Sequence, residues 1–179
     1  SNTGTSWSSF YFYKGTSTAS SNFGSFINPF DYDDANNALY AGGDAGEFFR
    51  WTTPQTTASG SYYATTGFPA GASIVTGITA FNSSKVSPYT SNRVYFGTAG
   101  GRITYLDNAN TAASSSAGVN LTQAGMPTGS VSCINVGTSD QYLIATYSNY
   151  GVNNVWVSTN GGTSWTAIDG TLPDMPVRG

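Results

Sequence analysis

The chain begins and ends in the same short phrase, and this recurrence restricts its fold more than any other feature. Residues 158–165 read Ser158-Thr159-Asn160-Gly161-Gly162-Thr163-Ser164-Trp165, and residues 1–7 read Ser1-Asn2-Thr3-Gly4-Thr5-Ser6-Trp7, which superimposes on Thr159 to Trp165. The shared pattern is S-x-N-x-G-x-S-W, with the first Ser absent from the earlier copy. A phrase that returns at a distance marks a periodic chain. Asn2 and Asn160 lie 158 residues apart, and the interval holds three units. One strand recurs as Leu39-Tyr40-Ala41-Gly42, Val94-Tyr95-Phe96-Gly97 and Leu143-Ile144-Ala145-Thr146. A following strand recurs as Phe48-Phe49-Arg50-Trp51, Ile103-Thr104-Tyr105-Leu106 and Val155-Trp156-Val157-Ser158. A preceding one recurs around Ile27-Asn28-Pro29-Phe30, Ile78-Thr79-Ala80-Phe81 and Ile134-Asn135-Val136-Gly137, and an apolar-Pro signal at Phe68-Pro69, Met126-Pro127 and Leu172-Pro173. Four signals in one order, three times over, give a mean period of about 53 residues, room for several short strands with extended loops in each unit.

The phrase itself reads as a hairpin. Val155 to Ser158 ends one strand, Thr159-Asn160-Gly161-Gly162 supplies residues that tolerate positive φ, and Ser164 to Ile168 returns. Trp165 is large enough to anchor the hairpin on its neighbours, and the side chains of Ser158 and Asn160 suit hydrogen bonds to the turn backbone. The pattern resembles the Asp-box of BNR-type β-propellers, S-x-D-x-G-x-T-W, in which Asn sometimes replaces Asp. The resemblance implies a structural role for Asn2, Gly4, Ser6, Trp7, Ser158, Asn160, Gly162, Ser164 and Trp165. It also implies an all-β chain: a β-propeller segment of about three four-stranded antiparallel blades. Residues 1–22 would hold the outer strand of a preceding blade, 23–73 blade one, 74–129 blade two, and 130–179 blade three with the start of the next connection.

Composition agrees with an all-β reading. Ser and Thr number 48, charged residues are 8%, and no segment sustains a 3.6-residue apolar period, so negligible helix is expected. There is no histidine and one cysteine, Cys133, which excludes an intrachain disulfide and any ordinary His or Cys metal site; no metal and no cofactor are expected. Cys133 reads as a small buried hydrophobe. A net charge of −3 argues against a nucleic-acid surface, and no apolar run is long enough to span a membrane. Without an initiator Met or a signal peptide, the chain reads as part of a longer precursor, whose remaining blades are its first expected partners.

In such a blade, with strands A to D from centre to rim, the A–B and C–D loops leave one face and the D–A and B–C loops the other. The terminal hairpins fall on the first face. The second carries Asp44 and Glu47, Gly100 and Gly101, and the insert 148–154 with Asn149, Tyr150 and Asn153. These Tyr and Asn residues suit a sugar, because aromatic faces stack on it and amides hydrogen-bond its hydroxyls. Asp44, Glu47, Asn149, Tyr150 and Asn153 are therefore the candidate ligand-binding residues. The acidic stretch 31–37 reads as an A–B turn rather than a cation loop, since Ala35 falls where a ligand is needed and no closing Glu follows. Asn82-Ser83-Ser84 and Asn120-Leu121-Thr122 match the N-glycosylation sequon.

Asp-box propellers include sialidases, xyloglucan-hydrolysing glycosidases, sortilin-type receptors and bacterial cell-surface proteins; the resemblance specifies a fold and not an activity. Sialidases clamp a carboxylate with three arginines, and Arg50, Arg93, Arg102 and Arg178 lack the F-R-I-P-like context. A glycosidase needs two carboxylates about 5–10 Å apart; Asp44 or Glu47 would supply one, and no second is identifiable, so no catalytic residue is assigned. The leading expectation is a non-catalytic extracellular binding or adhesion propeller, secreted or at the cell surface, with a glycan or a cell-surface protein as partner. The composition and the phrase 172–177 resemble large secreted proteins of Bacteroidetes-type bacteria, often exported by type IX secretion. The alternatives are a glycoside hydrolase propeller acting on polysaccharide and an oligomeric few-bladed lectin.

Overall fold

Short runs rich in β-branched and aromatic residues form most of the regular elements that the computed structural model describes; it describes residues 30–42, 47–56, 61–64, 81–113 and 116–178. The first sheet takes Phe30–Asp33 (β1), Ala38–Gly42 (β2), Glu47–Thr52 (β3) and Ser61–Ala64 (β4). The second takes Phe81–Val86 (β5), Val94–Thr98 (β6), Ile103–Leu106 (β7) and Val119–Asn120 (β8). The third takes Val131–Val136 (β9), Leu143–Tyr147 (β10), Val155–Ser158 (β11) and Thr166–Ala167 (β12). Each sheet is an antiparallel meander whose strand order in space is its order in sequence. No helix occurs among the described residues. The recurrences read from the sequence fall on β2, β6 and β10 and on β3, β7 and β11. The phrase at 1–7, with Asn2, Gly4, Ser6 and Trp7, lies outside the described residues, as does Asp44.

The sheets stack face to face, and the period-two alternation of a strand decides which core each residue joins. In β6, Val94 and Phe96 turn toward the first sheet, where with Phe81 of β5 they meet Tyr40 and Phe48; Tyr95 between them turns toward the third, joining Val131, Leu143 and Tyr147. All five residues of β6 are consequently buried. A strand covered on both faces reads as an unbroken apolar run rather than as alternation. The far face of the first sheet holds a third cluster around Phe49 and Trp51. The far face of the third is less apolar, with Ile144, Val155 and Val157 half-buried and Ile168 51% exposed.

Two glycines set how closely successive sheets approach. A Cβ on Gly42 of β2 would stand 2.5 Å from the Phe81 Cβ of β5, and one on Gly97 of β6 would stand 2.7 Å from the Val131 Cβ of β9. Each glycine is thus a seat for the first residue of the next sheet. The register confirms that Phe81 and Val131 are equivalent, because both precede a one-residue irregularity, at Asn82 and at Ser132. The third B strand carries Thr146 in that place. Its hydroxyl lies 2.9 Å from Ser132 Oγ, which donates to the Val177 carbonyl at 2.6 Å. A hydroxyl has one proton, so Thr146 donates to Ser132, and the relay pins the outgoing chain. Cys133, beside it, is only half-buried, not the fully buried hydrophobe expected; burial still pushes its thiol up, with Lys85 opposing.

Three core tyrosines make the fold alkali-sensitive. Burial, with Asp33 adding, pushes the Tyr40 phenol up to about 12. Burial likewise takes Tyr95 to about 12, and it raises Tyr147 as well. A raised phenol keeps its proton in the folded state after the unfolded chain has lost it. Stability from this source is intact below the ordinary phenol value of 10.0 and falls as pH rises toward about 12. Urea midpoints are therefore expected to hold level up to about pH 9 and to fall steeply above about pH 10; a midpoint that stays level there contradicts this account.

Candidate functional site

The two faces formed by the loops differ in how their polar groups are used. On the A–B and C–D face, most of the charged groups are tied internally. Asp33 closes the β1–β2 turn by accepting from Asn36 N and Nδ2 at 3.0 and 2.8 Å, so the acidic stretch 31–37 is a turn. Asp31 accepts from Val86 N at 2.8 Å and pairs with Lys85 at 3.1 Å. Asp140 of the third sheet accepts from Ser87 Oγ at 2.6 Å, from Tyr95 OH at 3.0 Å and from Thr90 Oγ1. Arg93 forks onto Asp107 at 2.6 and 3.0 Å and lies 4.1 Å from the Tyr105 ring centroid. The contacts of Asp31 and Asp140 run between neighbouring sheets, and they hold the stack together.

The hairpin 158–165 lies on the same face. Ser158 Oγ accepts from Gly162 N at 2.8 Å, and Asn160 Oδ1 accepts from Ser164 N at 2.9 Å. Asn160 Nδ2 donates to Ser164 Oγ at 2.8 Å, while Gly161 and Gly162 take φ of 68° and 85°. Every polar side chain of the phrase at 158, 160 and 164 is spent on the turn. Trp165 is 4% exposed and leaves its own sheet: Nε1 donates to the Leu121 carbonyl at 2.8 Å. Gln123 brackets its backbone, accepting from Trp165 N and donating to Trp165 O, each at 2.8 Å. The hairpin therefore clasps the outer edge of the second sheet.

The opposite face is built by connectors crossing over turns. A Cβ on Gly101, in the β6–β7 turn, would stand 2.9 Å from Thr128 Cα, and Gly151 N, in the β10–β11 turn, donates to Asp174 O at 3.2 Å. The apolar-Pro signals at Met126-Pro127 and Leu172-Pro173 belong to these connectors. The sequence candidates here have different fates. Asn149 accepts from Ser130 N at 2.7 Å through its amide oxygen, which holds a connector in place. Tyr150 is 76% exposed. Glu47 opens β3, with its side chain outside the described part, as Asp44 is altogether. Asn153 lines an open cleft of about 320 Å³ together with Gly125, Pro127, Gly151, Val152, Trp156 and Asp174. Trp156 is fixed there because its Nε1 donates to Asn153 O at 2.8 Å. Asp174, Trp156 and Pro127 were not singled out as site residues from the sequence; the repeated Pro signal was the only hint that a connector passes here. Of the two sequons, Asn82 donates to Ser130 Oγ at 2.5 Å between sheets, whereas Asn120 is exposed on β8. Among the described residues, no group of three or more acidic or Cys side chains is placed to hold a metal ion.

The fold defined by these elements is three four-stranded antiparallel blades of a β-propeller. Solved structures with this architecture include YCF48 from Cyanidioschyzon merolae, with a TM-score of 0.57 at 12% identity over 83% of this chain and 41% of that one. The GH74 enzyme of Niastella koreensis gives 0.54 at 19% over 84% and 23%, and the computationally designed protein Ika8 gives 0.51 at 15% over 84% and 38%. The chain spans less than half the length of each, and such identities show the fold alone. No family model and no curated protein matches the chain.

Proposed function

We propose that this chain is a non-catalytic binding segment of a secreted or cell-surface propeller. On this reading 158–165 is an Asp-box of the BNR type, and the remaining blades belong to the same parent polypeptide. The observation that carries the reading is the open cleft on the connector face, where Asn153 and Asp174 stand beside Val152 and Pro127. Asp31, Asp33, Asp107 and Asp140 are engaged on the A–B and C–D face. On the other face Asp169 accepts from Asn154 N at 2.5 Å, which leaves Asp174 as the carboxylate without a hydrogen bond or ion pair there among the described residues. A hydrolase needs two carboxylates facing across a cleft, whereas a binding face needs only unspent polar groups beside an apolar surface.

The competing reading is a glycoside hydrolase in which Asp44 or Glu47 supplies one of the two carboxylates; the GH74 likeness is the observation that favours it. The longest native polypeptide containing this chain is to be screened against soluble and insoluble polysaccharides for retention and for release of reducing ends. Retention without turnover is expected. Turnover that disappears in Asp44→Ala or Glu47→Ala would replace the binding reading with the enzymatic one.

A further inference from the structure

We infer that the cleft lined by Asn153, Trp156 and Asp174 binds one unit of a neutral saccharide. This rests on the binding reading above and gives it a ligand class and a place. The cleft lies between successive connectors: Gly125 and Pro127 come from the one leaving the second blade, and Asp174 from the one leaving the third. The β10–β11 turn supplies Gly151, Val152 and Asn153. Both glycines have positive φ, 90° at Gly125 and 72° at Gly151, and a Cβ on either would meet no atom within 4 Å. Among the described residues, no neighbour fills the space beside these turns. Its volume of about 320 Å³ is at the small end of ligand sites, which suits a single ring rather than an extended chain.

The lining selects the ligand. Among the described residues no cationic side chain lines the cleft and one carboxylate does, so an anion is disfavoured. One carboxylate with one amide is too few oxygens for a divalent cation. An organic ammonium would want an open aromatic face, and Trp156 is largely buried with its N–H already given to Asn153 O. A polyol fits what remains. Among the described residues the Asp174 carboxylate carries no hydrogen bond or ion pair, so it is able to accept from hydroxyls; the Asn153 amide, likewise unspent there, both donates and accepts. Val152 and Pro127 offer apolar surface to the C–H side of a ring.

The test is a titration of the ¹⁵N-labelled full chain with methyl β-D-glucopyranoside, methyl β-D-xylopyranoside, methyl α-D-mannopyranoside and tetramethylammonium chloride. The Trp156 indole N–H signal, identified by its loss in Trp156→Phe, reports the turn that forms the cleft. A saturable millimolar shift with at least one glycoside is expected, weakened by about tenfold or more in Asn153→Ala and in Asp174→Ala. Both positions are exposed, and an unchanged spectrum elsewhere shows that each variant is folded. No saturable shift with any glycoside, an affinity that neither variant lowers from that of the unaltered protein, or saturation by the ammonium salt alone overturns the inference. Retention on polysaccharide that survives these variants would sink the cleft while leaving the binding reading intact; loss of retention in the unaltered protein would sink the reading itself.

Discussion

Replacing Gly97 with alanine is expected to cost about 3 kcal/mol, because the added methyl has nowhere to go. It would stand 2.7 Å from Val131 Cβ and also against Ser83 Oγ. Val131 is fully buried, so it cannot swing aside, and a shift of its backbone would disturb β9 along its length. The control is the equivalent place in the third blade. Thr146 already carries a side chain there, and Thr146→Ala removes its donation to Ser132 together with one methyl group. That loss should cost about 1 kcal/mol. Urea unfolding followed by tryptophan fluorescence separates the two cases. A cost below about 1 kcal/mol for Gly97→Ala would mean that the sheets can part without penalty, and that Gly97 is not a seat.

Trp165→Ala should destabilise by about 3–5 kcal/mol. The indole is 4% exposed and packs with Leu121 and Met126 of the preceding blade and its connector. Its removal leaves a cavity between two sheets and strips the Leu121 carbonyl of its donor. Trp165→Phe retains most of the burial and loses the hydrogen bond, so it should cost about 1–3 kcal/mol, mostly through the orphaned carbonyl. The two unfolding curves together divide the clasp into packing and polar parts. Equal costs for the two variants would show that the cavity contributes nothing and that the packing account is mistaken.

The strands were legible because their information is local. Val94-Tyr95-Phe96-Gly97 declares a strand by its residue types, and its recurrence fixes its place in the repeat. The turn of the hairpin 158–165 was legible for the same reason, since Ser158, Asn160 and Ser164 bond within five residues of themselves. The cleft was not, because it gathers positions 125–127, 151–156 and 174 from three separate passes of the chain. Asn149 shows the limit from the other side. As a polar residue in a Gly-rich loop it reads as a ligand group, and only the packed connector reveals that Ser130 N takes its amide oxygen. The irregularities at Asn82 and Ser132 likewise have no local signature; they follow from fitting one sheet against the next.

The glycine seats also say where such a protein can be cut and recombined. Gly97 lies on the second strand of its sheet and receives Val131 from the first strand of the next. A fragment bounded by the connectors between sheets would part the two residues. One bounded by the tight turns at 34–37, 87–93 and 137–142 keeps each glycine with the side chain that rests on it. Cassettes exchanged at those turns would carry a matched joint inside them, with only a two-stranded hairpin left to re-form at each splice. For lengthening or shuffling this architecture, the natural building block straddles two sheets and coincides with neither.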